Sequence, residues 1–317
     1  MIFPLRQGSH PHPPGGPGGA SHFAAPLLVG LAIGLGRFLP EDPSFGFVYW
    51  QSPFLFTVLG GLAIAFACRP VLSRIPWRRS TAMGLGFFLL TVLGQPGDWV
   101  TGALMAALGL GGIPLNLPAA GWPLLTSAAA GGVAMGWFFR PAGKVGMMDW
   151  ANLRARISSA GAWRLLLKAA LAALVALVVV LLAGWGDARW EDGAVGVYLP
   201  LVEPNPWLKL EGISLREQAP WNVVLFPTLL WLRWLLAVLA LLPIALTLRG
   251  SWLQLTLVFG VLLFVIGDFA PLMLDQPYPS LAWLLERVAL GIIRAFAIGW
   301  VCAGLLGIRS PGGEALR

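Results

Sequence analysis

The strongest constraint on this chain is a succession of apolar runs separated by short charged or turn-rich segments. Most are close to the ~20 residues that carry a helix across ~30 Å of hydrocarbon. Eight stand out: Phe23–Leu39, Pro53–Cys68, Thr81–Gln95, Ala119–Phe139, Trp163–Trp185, Asn222–Thr247, Trp252–Leu274 and Leu284–Ile308. Inside a bilayer each segment must satisfy its own backbone amides and carbonyls, so runs of this kind become helices. Only 11% of the residues are charged, against roughly a quarter in a soluble domain. The expected fold is therefore all-α: a polytopic integral membrane helical bundle of about eight transmembrane helices. A soluble enzyme, a disordered chain and a disulfide scaffold are excluded.

Orientation follows from Lys and Arg in short loops, which stay cytoplasmic. One basic cluster is Arg69, Arg74, Arg78 and Arg79; another is Arg140, Lys144, Arg154, Arg156, Arg164 and Lys168. A ninth apolar piece, Val100–Ile113, is short and holds Gly102, Gly109, Gly111 and Gly112. Reading it as re-entrant or interfacial puts both clusters on one side, together with Arg249, Arg309 and Arg317. Fourteen of the 21 basic residues then lie in cytoplasmic segments, five in outer segments and two within spans. The expected topology has both termini cytoplasmic, in the cell inner (plasma) membrane. Eleven of the 14 acidic residues fall in the outer segments, among them Glu41, Asp42, Glu191 and Asp192.

The runs also repeat. WQSPFLFTVLGGLAIAFACRPVL in the first half corresponds to APWNVVLFPTLLWLRWLLAVLALLPIAL in the second, and each precedes a short basic turn with one Trp. Next come GLGFFLLTVLGQPGD and VFGVLLFVIGDFAP, and each half closes on Gly-Trp, at Gly136-Trp137 and Gly299-Trp300. An even number of spans per copy gives both copies the same orientation, hence two tandem four-helix repeats related by an axis along the membrane normal. The resulting organisation is a Pro/Gly/His-rich tail (1–22), a first repeat (23–139) with a Gly-rich insert at 99–118, and a basic linker with an interfacial helix (140–162). A second repeat (163–308) carries an outer loop at 186–220, and a C-terminal tail covers 309–317. Asp149 is placed to cap the linker helix, read as Trp150–Ala162.

Much familiar chemistry has no residues to carry it. His10, His12 and His22, the three histidines, all precede the first span, so no imidazole reaches a haem or a catalytic centre inside the bundle. Cys68 and Cys302 lie on different spans without CxxC spacing and read as small apolar residues. There is no GxxxxGK[ST] phosphate loop, and no two carboxylates share a span. No cofactor or metal is expected, and the scattered basic residues do not form a nucleic-acid face.

What remains is a small set of charges inside the spans: Arg233, Asp268 and Arg294, in the outer-to-middle layer of the second repeat, with Arg287 on the same helical face as Arg294. A charge in hydrocarbon costs at least ~2.5–3.5 kcal/mol, so each should face a partner or a wet cavity. Asp268 is expected to pair with Arg294 or Arg233. The set reads as an interhelical ion pair that fixes packing, with the second Arg capping backbone carbonyls, or as an anion site in which the surplus guanidinium receives a phosphate or carboxylate. The resulting expectation is a non-catalytic membrane subunit, in contact with lipids and with other membrane subunits through its tail and the 186–220 loop. The alternative is a carrier or flippase for an anionic or lipid substrate.

Overall fold

The computed structural model describes residues 20–38, 51–73, 75, 78–94, 96–97, 100–101, 104, 117–139, 150–159, 161–248, 250–274 and 281–306, excepting 191–220 and 249. Among these it is all-helical, with no strand. The helices are α1 (Ala20–Phe38), α2 (Gln51–Leu72), α3 (Arg79–Leu93), α4 (Leu117–Phe138), α5 (Trp150–Ser159), α6 (Ala162–Trp190) and α7 (Trp221–Thr247). Next, α8 runs as Trp252–Leu262, a π-helical segment Leu263–Phe269 and a last turn Ala270–Leu274, and α9 is Leu281–Leu306.

Four stretches are long and apolar enough to cross a membrane: Ala162–Leu182, Pro227–Thr247, Trp252–Met273 and Leu284–Leu306. Phe23–Gly36, Thr57–Leu72 and Arg79–Leu93 are shorter apolar stretches. The exterior supports a lipid environment. On α6, Leu167, Leu171, Leu174, Val178 and Leu182 are exposed, while Leu165, Ala169, Ala172, Ala173 and Ala176 are buried on the other side. A water-soluble helix would put its large apolar residues inward. Here small alanines face the bundle, where they let neighbouring backbones approach, and the leucines face out.

Neighbours follow a simple order. In the first half α1 packs on α2 and α4, and α4 on α3; in the second, α6 packs on α7 and α9, and α9 on α8. The halves join where α2 meets α8 and where α3 meets α7. Polar contacts accompany the apolar ones: the Ser127 hydroxyl of α4 donates to the Ile33 carbonyl of α1 at 2.7 Å, and the Trp231 indole of α7 donates to the Ala170 carbonyl of α6 at 3.3 Å.

The two Gly-Trp pairs occupy matching contacts. A methyl group on Gly136 would stand 2.8 Å from the Met83 amide nitrogen of α3, and one on Gly299 would stand 2.7 Å from the Gly260 amide nitrogen of α8. Each glycine thus marks a crossing too close for any side chain. Trp137 takes the Arg79 guanidinium over its ring at 4.2 Å, and Trp300 meets Trp252 edge-on at 5.3 Å, so each indole sits at the start of the helix its glycine crosses.

Some boundaries differ from the sequence reading. The linker helix ends at Ser159, short of Ala162, because Gly161 adopts a left-handed φ of 81° and its amide closes on the Ser158 carbonyl. That is the usual glycine exit from a helix. Conversely α2 runs past Cys68 to Leu72, and α6 past Trp185 to Trp190. Of the Gly-rich piece, only Val100, Thr101 and Leu104 are described, all helical. Residues 1–19 of the N-terminal tail, 191–220 and 307–317 lie outside the described residues, as does Asp149, and α1 begins at Ala20, inside the stretch read as tail.

Candidate functional site

Two of the in-span charges, Asp268 and Arg294, meet at the π-helical segment of α8. Pro271 explains why the helix changes register there. Its ring cannot accommodate the carbonyl four residues earlier, and it offers no amide. Widening the preceding turns relieves that clash, and the Ala270 amide accordingly bonds the Val265 carbonyl, five residues back. Insertions of this kind are concentrated at functional positions.

Asp268 lies on this segment, and the Arg294 guanidinium of α9 donates to its carboxylate. The pair is largely shielded, with Asp268 at 17% and Arg294 at 33% side-chain exposure. Gly291, one turn before Arg294, makes room for it: a methyl group there would stand 3.2 Å from the Asp268 Cβ and 3.4 Å from the Phe264 ring. Phe264 and Phe269 meet at a tilt on the same segment, their ring centroids 5.8 Å apart.

Arg233 goes elsewhere. From α7 its guanidinium donates to the Val92 carbonyl, in the last turn of α3. The final carbonyls of a helix have no intrahelical donors and carry its negative end, so a guanidinium there is a cap. A methyl group on Gly97 would stand 3.0 Å from the Arg233 Cζ, so the chain after α3 wraps this arginine closely. The last turn of α3 is also reached from α8, where a methyl group on Gly267 would stand 3.3 Å from the Leu93 carbonyl oxygen. Arg287 is half-buried on α9, seven residues before Arg294.

The four singled-out residues therefore divide into an interhelical ion pair, Asp268–Arg294, a helix cap, Arg233, and Arg287 on the flank. The cap's partner is a backbone carbonyl of another half, which no residue-type search could identify. The one signal was the shortage of in-span acids: a single carboxylate for two guanidinium groups.

A cavity of about 60 Å³ lies beside the same segment, lined by Ile266, Ala270 and Pro271 of α8 and by residues of α1 to α4 that include Ile33, Thr57 and Ser127. Cys68 and Cys302 are both buried and both free thiols. Among the described residues no three His, Cys, Asp or Glu side chains gather closely enough to hold a metal ion. His10 and His12 lie outside the described residues, and the His22 side chain is not among them.

No family model, curated protein or solved structure matches this chain.

Proposed function

We propose that the chain is a non-catalytic, multi-spanning subunit of a larger membrane assembly, built from two four-helix units of the same orientation. The observation that carries the reading is how the in-span charges are used. Asp268 and Arg294 tie α8 to α9, and Arg233 ties α7 to the end of α3. These charges fasten helices to one another and across the two halves, which is what a scaffold requires of them. The neighbour order supports the duplication. Exchanging α1–α4 for α6–α9 maps each half's contacts onto the other's, and it maps the α2–α8 junction onto α7–α3. The same reading carries eight spans, both termini cytoplasmic, the basic linker against the inner leaflet and the 186–220 loop outside, where it meets other subunits.

A second reading, a carrier or flippase for an anionic or lipid substrate, has one specific support. The π-helical segment and Pro271 border a cavity between the halves. Its volume, about 60 Å³, is well below the ~300–1,000 Å³ of ligand pockets, and this favours the subunit reading.

Native-gel mobility after extraction in mild detergent separates the two. A particle well above one 33.9 kDa chain with its detergent, containing other polypeptides, is the expected result. A lone monomer or homodimer, with substrate flux in vesicles that disappears in Arg233→Gln at unchanged stability, would establish the carrier instead.

A further inference from the structure

The widened turn of α8 leaves one backbone acceptor unserved. In an α-helix the Ile266 carbonyl would take the Ala270 amide, four residues on. In the π-helical segment that amide bonds the Val265 carbonyl, and the next residue, Pro271, has no amide to give. The Ile266 carbonyl therefore has no donor within its own helix. A helical carbonyl points along the axis toward the residue four positions on, here Ala270. Ile266, Ala270 and Pro271 all line the cavity of about 60 Å³, so the unserved oxygen borders it. Ile266 is only 1% exposed, which keeps bulk water away. A buried carbonyl left in this way is costly.

The other junction between the halves fills the matching place. Residues 173 positions apart correspond along α2 and α7 and along α3 and α8: Pro70 with Pro243, Val92 with Val265, Gly94 with Gly267. In that register Gly60 of α2 corresponds to Arg233 of α7, and Gly97 to Ala270. The contacts agree with it. A methyl group on Gly97 would stand 3.0 Å from the Arg233 Cζ, and one on Gly60 would stand 3.5 Å from the Ala270 carbonyl oxygen. At α3–α7 the Arg233 guanidinium occupies the place and donates to the Val92 carbonyl. At α2–α8 Gly60 has no side chain to do so, and it lines the cavity. This register rests on the proposed duplication; the carbonyl and the cavity stand without it.

We infer that the cavity is a water-binding site, in which an ordered molecule donates to the Ile266 carbonyl and does for α2–α8 what Arg233 does for α3–α7. The volume of about 60 Å³ is enough for a few waters at about 10–15 Å³ each. A bound water also needs further polar partners. Ser127, in the lining, gives its hydrogen to the Ile33 carbonyl at 2.7 Å, so its oxygen keeps lone pairs for a water hydrogen. Thr57, 5% exposed, brings a second hydroxyl to the lining. No acid lines the cavity, so a cation would enter without compensation and the neutral donor is favoured.

The test is hydroxyl-radical labelling of the full-length protein in mild detergent with short X-ray pulses, because radicals born at a bound water modify the side chains that touch it. Ile266 should be modified about tenfold faster than Ile244 and Ile298, residues of the same type at 0% and 1% exposure that do not line the cavity. Gly60→Gln and Gly60→Met place side chains of similar length in the cavity, and both should abolish the fast labelling of Ile266. Only the glutamine supplies a donor, so Gly60→Gln should melt about 2 °C or more above Gly60→Met. Equal labelling of the three isoleucines in the native chain means a dry cavity and overturns the site. A Gly60→Met protein that melts with or above Gly60→Gln overturns it too, since the carbonyl would then need no donor. The labelling reads the cavity alone, so a dry cavity leaves the duplication standing, and loss of the duplication leaves the water site.

Discussion

At Asp268 the cost of a lone charge in hydrocarbon and the geometry of α8 meet. The carboxylate is paired with Arg294, and removing one member strands the other in a poorly hydrated place. A fully buried pair loses about 3–5 kcal/mol on such a change. Because Arg294 keeps 33% exposure, Asp268→Asn should cost less, about 1–3 kcal/mol, measured by denaturation in mild detergent. Glu191→Gln, in a segment the proposed topology places outside, should stay within about 0.5 kcal/mol. Arg233→Gln should cost about 1–3 kcal/mol through the unsatisfied Val92 carbonyl, and an additional Asp268→Asn should then add to it nearly in full, since the two contacts use different partners. Strong coupling between the two substitutions would instead place Arg233 in the ion pair. That Asp268 would find an arginine was legible in the sequence, since in-span charges seek partners. That the other would cap backbone carbonyls was part of the packing reading, but which arginine and which helix end was not legible: α3 reaches Arg233 only through folding of residues 141 positions apart.

Helices as units were easy to read and their interruptions were not. The apolar runs placed most helix ends within a few residues, because a run of membrane length has one way to satisfy its backbone. The π-helical segment was hidden inside such a run. Pro271 was its visible cause, yet a proline is compatible with a kink, a helix end or a widened turn, and the choice depends on how α8 packs against α9 and α2. The closing Gly-Trp pairs were read as a repeat signature, and their structural work is now specific. Each glycine admits a neighbouring backbone at less than 3 Å from where a side chain would begin. Gly136→Leu and Gly299→Leu should each destabilise by about 1–3 kcal/mol, as overpacking does. Gly304→Ala should be close to neutral, since the nearest atom to its added methyl is 3.6 Å away. Thermal melting of the three variants in one detergent is the check; a neutral Gly136→Leu or Gly299→Leu would mean that the crossing is not tight.

For the whole molecule, the proposed account is two four-helix units side by side with the same orientation, joined at α2–α8 and α3–α7 and pinned by Arg233. On the proposed account the balance of basic residues sets its direction in the membrane, with Arg78 and Arg79 at the start of α3, Arg249 before α8 and the linker around Lys144 on the cytoplasmic side. Composition alone established the membrane class. The pairing of halves needed coordinates, because Leu- and Ala-rich helices are nearly interchangeable in sequence and differ in which small residues face which neighbour. Parallel orientation is the claim on which both the duplication and the inner-leaflet basic face depend. Cysteine-accessibility labelling tests it most directly, in a background where Cys68 and Cys302 are replaced by Ala and single cysteines are introduced at Asp42, Lys144, Asp192 and Gly250. Labelling of intact cells from outside should reach positions 42 and 192, whereas positions 144 and 250 should label only after the membrane is opened. Outside labelling at 144, or 144 and 250 on opposite sides, would contradict the parallel arrangement.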